Sequence, residues 1–295
     1  MHIDSFINYL KAERRYSACT IKAYENDLHQ FYSFIEQNCA DNQSDDSLHK
    51  EIRQWIVDMM EKGMSPRSVR RKISALGSYF RFLVRKEIIA ASPLSRVSLP
   101  KMGKQLPGFI PENKLNHLLD DVDFGEDFTG MRDRLIIEVL YFTGMRRSEL
   151  IDLCNSDVDN FLMILKVRGK GGKERYIPVG QTFMQTLKKY MQRKESEFGH
   201  VSSLDPFFVT NNNEKLYPEF VYRVVRKYLR LVTSGEKRGP HILRHSFATH
   251  MLNNGAGLNA IKDLLGHASL AATQVYTHNS FEKLKKVYKQ AHPRA

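Results

Sequence analysis

Tyr276, in the run Val275-Tyr276-Thr277-His278, is an oxygen nucleophile only if other groups ease the loss of its proton. A phenol with a pKa near ~10 attacks little at neutral pH unaided. Arg146 lies in Thr143-Gly144-Met145-Arg146-Arg147-Ser148-Glu149-Leu150, where Gly144 can end one helix and Ser148 begin the next. Its guanidinium is then held at a tight junction. His241 and Arg244, three apart behind Gly239-Pro240, are neighbours on one side of the helix that starts there. His267 follows Leu264-Leu265-Gly266 at a helix end, and Lys170 stands on a glycine-rich turn from which it could deliver a proton. Singly, each has an ordinary reading: a structural arginine at a helix terminus, a solvated lysine on a hairpin tip, a tyrosine in the core. Jointly they supply an anion clamp, proton carriers and an oxygen nucleophile, with no carboxylate and no cluster of metal ligands. That is what attack on a phosphodiester requires without a metal. His241 and His245 have a zinc-like spacing, but Ile242 stands where the zincin pattern needs glutamate, and Arg244 would repel a cation. A phosphate-binding pair explains them better.

Rigid elements must bring these distant positions together. The strongly apolar run Leu135 to Phe142 predicts the helix that Gly144 ends, and Leu243, Phe247 and Met251 give the His241 helix its buried stripe. Phe161 to Val167, a turn with Gly169, Gly171 and Gly172, and Glu174 to Pro178 predict a β-hairpin presenting Lys170 and Lys173. The turn does not supply the spacing of a P-loop. Upstream, Ser17 to Ile35 has helical spacing, with Ser17 or Thr20 as its cap. A polar stretch from Glu36 to Lys50 reads as an exposed loop before a helix around Trp55-Ile56. Ser65-Pro66 opens a further helix reaching about Val84. The polar, proline-containing stretch 95–107 reads as a linker between an N-terminal helical domain, 1–94, and a second domain, 108–295.

The chain has 295 residues, 42% hydrophobic and 26% charged, and carries a formal net charge of +12. That excess argues for a polyanionic partner, nucleic acid before a membrane surface. Residues 62–86 hold eight basic side chains and no acidic one; Lys62, Arg67, Arg70, Arg71, Lys72 and Arg81 are taken as candidate DNA-binding residues, with Lys173 from the hairpin. No apolar run reaches the ~18 residues of a membrane span, and the N-terminus does not read as a signal peptide. Cys19, Cys39 and Cys154 form no C-x-x-C pair, which excludes a cysteine zinc site or disulfide framework and fits a reducing cytoplasm.

With these residues in view, the sequence resembles the tyrosine recombinases of the λ-integrase family, and within them the Xer recombinases. The resemblance rests on Thr143-Gly-Met-Arg146-x-Ser-Glu-Leu150, Gly169-Lys170-Gly-x-Lys-Glu-Arg175, His241-x-Leu-Arg244-His245, Leu264-Leu-Gly-His267 and Tyr276-Thr-His278. The ending, from Phe281 through Val287-Tyr288 to Ala291-His-Pro-Arg-Ala295, is nearer XerC than XerD members. All six catalytic positions are filled, in order. Arg147 departs from the pattern, since relatives usually carry an apolar or small residue there.

The resemblance implies a mainly α fold with a small β-sheet or hairpin in the catalytic domain. An N-terminal helical, SAM-like core-binding domain would precede the tyrosine-recombinase catalytic domain, the two forming a C-shaped clamp on duplex DNA. It implies that Tyr276 attacks the phosphorus to give a 3′-phosphotyrosyl bond while Arg146 and Arg244 clamp the phosphate oxygens. His267 would bond the same phosphate, His241 accept the tyrosine proton and Lys170 protonate the departing 5′-oxygen. No cofactor and no metal are needed. Partners would be double-stranded DNA with a dif-like or att-like site, further copies or a sister Xer recombinase in a tetramer, and the septal translocase FtsK. The place of action would be the cytoplasm, on the nucleoid. A tail helix at about 280–291, with Phe281, Leu284, Val287, Tyr288 and Ala291 as its stripe, would dock on a neighbouring subunit. The role implied is chromosome dimer resolution at dif. An integrase of a mobile element is the alternative, followed by a type IB topoisomerase and a non-catalytic DNA-binding regulator.

Overall fold

The computed structural model describes residues 2–38, 48–101, 108–169, 172–234, 238–266 and 278–294, with side chains of the last segment from 284 onward. Lys170, His267 and Tyr276 lie outside the described residues. The chain divides into two compact units, Met1–Gln105 and Leu106–Ala295.

The first unit is built from α1 (Ile3–Ala12), α2 (Ala18–Asn38), α3 (Leu48–Glu61) and α4 (Pro66–Arg85). Ser17 Oγ accepts from the Thr20 amide at the start of α2, and Ser65 Oγ accepts from the Ser68 amide at the start of α4, with Pro66 in the first turn. Apolar spacing of three and four on these helices converges on Phe6, Leu28, Phe31, Trp55, Leu76 and Phe80, all buried. A 3-10 turn, Pro93–Arg96, comes after α4, and Leu94 and Val97 pack against this core. Arg70 donates to the Pro100 carbonyl at 3.2 Å. Residues 95–100 are therefore part of the N-terminal unit's surface.

The second unit contains α5 (Glu112–Asp120), α6 (Phe128–Thr143), α7 (Arg147–Ile151), α8 (Gln181–Phe198), α9 (Pro218–Val232), α10 (Pro240–Asn253), α11 (Leu258–Leu265) and α12 (His278–Ala291). An antiparallel sheet in the order β1 (Val158–Asp159), β2 (Ile164–Arg168), β3 (Glu174–Pro178) stands beside them. Helix α6 is apolar on nearly every side because α8, α9 and α10 all pack on it. The hairpin is shorter than its sequence implies. Asp159 Oδ1 accepts from the amides of Phe161 and Leu162, at 2.9 and 2.8 Å, and this local turn takes both residues out of the strand. Phe161 is left exposed. Val158-Asp159 pairs as a third strand that the sequence pattern did not reveal.

The C-terminal helix corrects one expectation. Leu284, Tyr288 and Ala291 are buried in the chain's own catalytic-unit core, with Val287 packed against it, instead of waiting for a neighbouring subunit. Tyr288 donates to the Phe142 carbonyl at 3.1 Å, Asn254 donates to the Ala291 carbonyl at 2.9 Å, and Arg294 pairs with Asp120.

Candidate active site

Helix α6 ends where Gly144 turns left-handed, at φ 60°. Glycine is needed twice over there, because a Cβ would sit 2.5 Å from Phe247 and 2.7 Å from Leu265. Two residues on, Arg146 caps α7. The carboxylate of Glu149 accepts from the Arg146 amide at 2.7 Å and from its guanidinium at 2.7 Å. Glu149, not Ser148, organises this helix start, and 36% of the Arg146 side chain remains exposed.

Arg244 comes to the same junction from the start of the second turn of α10. It donates to the Gly144 carbonyl at 2.6 Å and to the Leu265 carbonyl at 2.7 Å. Burial first, and then the Arg146 charge, lower it to about 10, while Glu149 opposes the change. It is still a cation at neutral pH. His241, one turn earlier on α10, is exposed.

Beneath Arg146 and Arg244 lies a pair that the sequence alone did not announce. Arg175 on β3 is 4% exposed and makes a bidentate contact with Glu149, at 3.1 and 2.8 Å. Its Nε donates to the Leu264 carbonyl at 2.8 Å. Burial would raise the Glu149 carboxyl, but the Arg175 fork and then the Arg146 contacts outweigh it and hold Glu149 below the usual carboxylate range. The sequence does carry a signal for Arg175. It shares strand parity with buried Ile177 and faces buried Val167 across the hairpin, so its charge had to be met inside. Three guanidiniums around one carboxylate leave local positive charge beside the open Arg146, suited to a phosphate that gains negative charge as it is attacked.

The hairpin register Val167–Arg175 and Arg168–Glu174, closed by the Gly169 amide on the Lys173 carbonyl at 2.7 Å, fixes the strands on either side of residue 170. Arg168 is anchored to Asp157 at 2.8 Å, and Lys173 is exposed. The structure thus brings Arg146 and Arg244 together and sets His241 on the Arg244 helix. Arg147 donates to the Pro218 carbonyl at the start of α9. The exposed face of α9 carries Tyr222, Arg223, Arg226 and Arg230, a basic face that its otherwise apolar helical pattern concealed.

In the N-terminal unit the basic run of α4 splits. Lys72 is buried, donating to Asp27 at 2.9 Å and to Gln30, and so it leaves the set of phosphate-facing candidates. Arg71 forks onto the same buried Asp27 but stays half exposed. Lys62 pairs with Asp58 at 2.8 Å on the surface. Arg67, Arg71, Ser74, Ser78, Arg81 and Arg85 succeed one another at intervals of three and four, with all four arginines solvent-facing. Among the described residues, no group of three His, Cys, Asp or Glu side chains gathers as a metal site, and no helix is long and apolar enough to cross a membrane.

The phage integrase family matches residues 109–283, and the phage integrase N-terminal SAM-like domain matches residues 3–87. The tyrosine recombinase XerC of Chlorobaculum parvum is 37% identical, covering 99% of this chain and 94% of its own length. That of Bacillus subtilis is also 37% identical, over 99% and 96%. Among solved structures, the XerH recombinase bound to difH in a pre-cleavage complex superposes with a TM-score of 0.69 at 22% identity, over 96% of this chain and 83% of that one. The Tn1549 transposon integrase in complex with circular intermediate DNA gives 0.69 at 20%, over 95% and 97%. With its catalytic unit matched by the family and relatives similar along nearly their whole length, the chain belongs to the phage integrase family, as a Xer-type tyrosine recombinase.

Proposed function

We propose that the chain cuts and rejoins duplex DNA through Tyr276, forming a 3′-phosphotyrosyl bond and freeing a 5′-hydroxyl. Attack by the partner duplex's 5′-hydroxyl then gives a Holliday junction, resolved by a second pair of subunits. The reading is carried by the convergence of Arg146 and Arg244 at the α6–α7 junction, each fixed by hydrogen bonds and backed by a buried ion pair. A preorganised pair of guanidiniums stabilises charge on the non-bridging oxygens without moving at the moment of reaction. His241 takes the tyrosine proton, His267 adds a hydrogen bond to the phosphate, and Lys170 protonates the leaving oxygen. The phosphotyrosine conserves the bond energy, so the cycle needs no cofactor.

DNA contacts fall to the exposed arginine stripe of α4, to Arg70 and Lys62 beside it, and to Lys173. The biological role is chromosome dimer resolution at a dif-like site in the cytoplasm, on the nucleoid. The active form is a tetramer of this chain or of this chain with a sister recombinase, with FtsK as a regulatory partner. A nicked suicide duplex tests the chemistry: the wild type traps a covalent adduct, and Tyr276→Phe does not. A wild type that traps nothing on any genomic fragment refutes the reading. Mapping trapped ends across the genome tests the role, since a single site near the replication terminus supports dimer resolution and element ends refute it.

A further inference from the structure

Arg175 occupies an uncommon position for a charged side chain. It lies on the inward phase of a short strand, 4% exposed, with Nε and both terminal nitrogens donating to the protein. Its partners belong to two other elements, Glu149 of α7 and the last turn of α11. Gly266, left-handed at φ 63°, closes over it so tightly that a Cβ would lie 3.1 Å from Arg175 Cδ. A buried ion pair of this sort is a poor source of net stability compared with apolar residues of equal volume. What it supplies is direction, since a planar fork fixes both the distance and the angle of its carboxylate.

We propose that Arg175 is a positioning residue for strand cleavage, setting the Arg146 guanidinium through Glu149 and, through the Leu264 carbonyl, the α11 end that Arg244 also grips. Arg175 is itself too enclosed to touch DNA. This inference rests on the reading of Arg146 and Arg244 as the phosphate clamp. Lysine at 175 keeps the charge but cannot span Glu149 and Leu264 together. Methionine removes both.

Among the described residues, the charged groups facing Glu149 are Arg146 from its own turn, Arg175 from β3 and Arg244 from α10. Without Arg175, the burial that favours the neutral acid is opposed less strongly, so Glu149 protonates at higher pH and releases Arg146. A pH profile therefore separates positioning from mere support of the fold. The experiment uses the full chain and a nicked suicide duplex carrying the site trapped by the wild type, read as adduct rate at saturating DNA from pH 5 to 9. Half-site affinity is measured in parallel.

Arg175→Met is expected to cut at least roughly tenfold more slowly with half-site affinity nearly unchanged, and to gain a new loss of rate on the acid side. Glu149→Gln combined with Arg175→Met loses that acid limb, and Arg175→Lys falls between wild type and Arg175→Met. A duplex with a sulphur leaving group at the 5′ position, which needs no proton, leaves the defect in place because the clamp is at fault. Wild-type rate and pH profile in Arg175→Lys and Arg175→Met overturn the proposal, as does full rescue by the sulphur substrate, which would assign Arg175 to the leaving-group side. If Arg175→Met does not fold, Arg175→Lys decides alone, and a wild-type rate and profile in it overturns the proposal. A wild type that forms no adduct overturns the site reading and this inference together. An active wild type with unaffected variants overturns only this one.

Discussion

Gly144 is the backbone position that brings Arg146 and Arg244 to one junction. Its carbonyl receives Arg244, its left-handed turn presents Arg146 two residues later, and Phe247 and Leu265 crowd the space a side chain would need. Gly144→Ala should cost about 2–4 kcal/mol, combining positive-φ strain with overpacking, and should slow cleavage in those molecules that fold. Thermal melting and adduct rate check both effects. His292 makes a different demand. Stacked on Tyr288 and ringed by Tyr141, Phe142 and Phe247, it is pushed down by burial to about 3, and Nδ1 of the neutral ring accepts from the Arg294 amide. The unfolded chain binds this proton below about pH 6.5 while the folded chain refuses it until about pH 3, so stability is complete above the first value and drains away between the two. Acidifying from pH 7 to 5 should remove about 2 kcal/mol through this residue alone. Denaturant titrations of His292→Phe, which should lose that part of the pH dependence, provide the check.

Helix α4 shows how one basic run can serve two purposes. Its solvent-facing arginines at 67, 71, 81 and 85 form a stripe, whereas Lys72 points inward to Asp27 and ties α4 to α2. Arg67→Ala and Arg81→Ala should each weaken DNA binding and lower the slope of log affinity against log salt by about one. Lys72→Ala should leave the slope intact and lower the melting temperature, because it removes the buried partner of Asp27 and leaves that carboxylate to the half-exposed Arg71 among the described residues. Fluorescence anisotropy across salt and a thermal melt separate the two cases. From the sequence, charge alone could not sort these residues, because a count of lysines and arginines does not say which phase of the helix they occupy. Apolar spacing did give away α2 and α4, a continuous apolar run gave away α6, and Ser65-Pro66 and Gly144 marked where α4 begins and α6 ends. Glu149 and Arg175 were concealed for a related reason. Their partnership joins positions 149 and 175 across two elements, and such a pairing exists only once the hairpin has folded against α7. The β1 strand escaped because two residues give no period to detect.

Each half of the molecule owns its core. Phe31, Trp55 and Phe80 belong to one and Leu140, Leu165 and Phe247 to the other, with the division at Gln105–Leu106. Residues 1–105 expressed alone should therefore fold, giving a cooperative melt and helical circular dichroism. The C-terminal helix belongs fully to the second core, and truncation after Ser280 strips out Leu284, Tyr288 and Ala291. That should destabilise the catalytic unit by about 5 kcal/mol and leave the melt of the N-terminal unit in place, as calorimetry on the two proteins would show. Loss of recombination in such a truncation consequently reports on folding as well as on contacts between subunits. The last turn of α11 is a fixed point for the chain that leaves it. The carbonyls of Leu264 and Leu265 are gripped by arginines from separate elements, and Gly266 then bends the chain left-handed. A residue inserted within α11 would turn these two carbonyls away from Arg175 and Arg244 together, so the end of this helix tolerates no change of length.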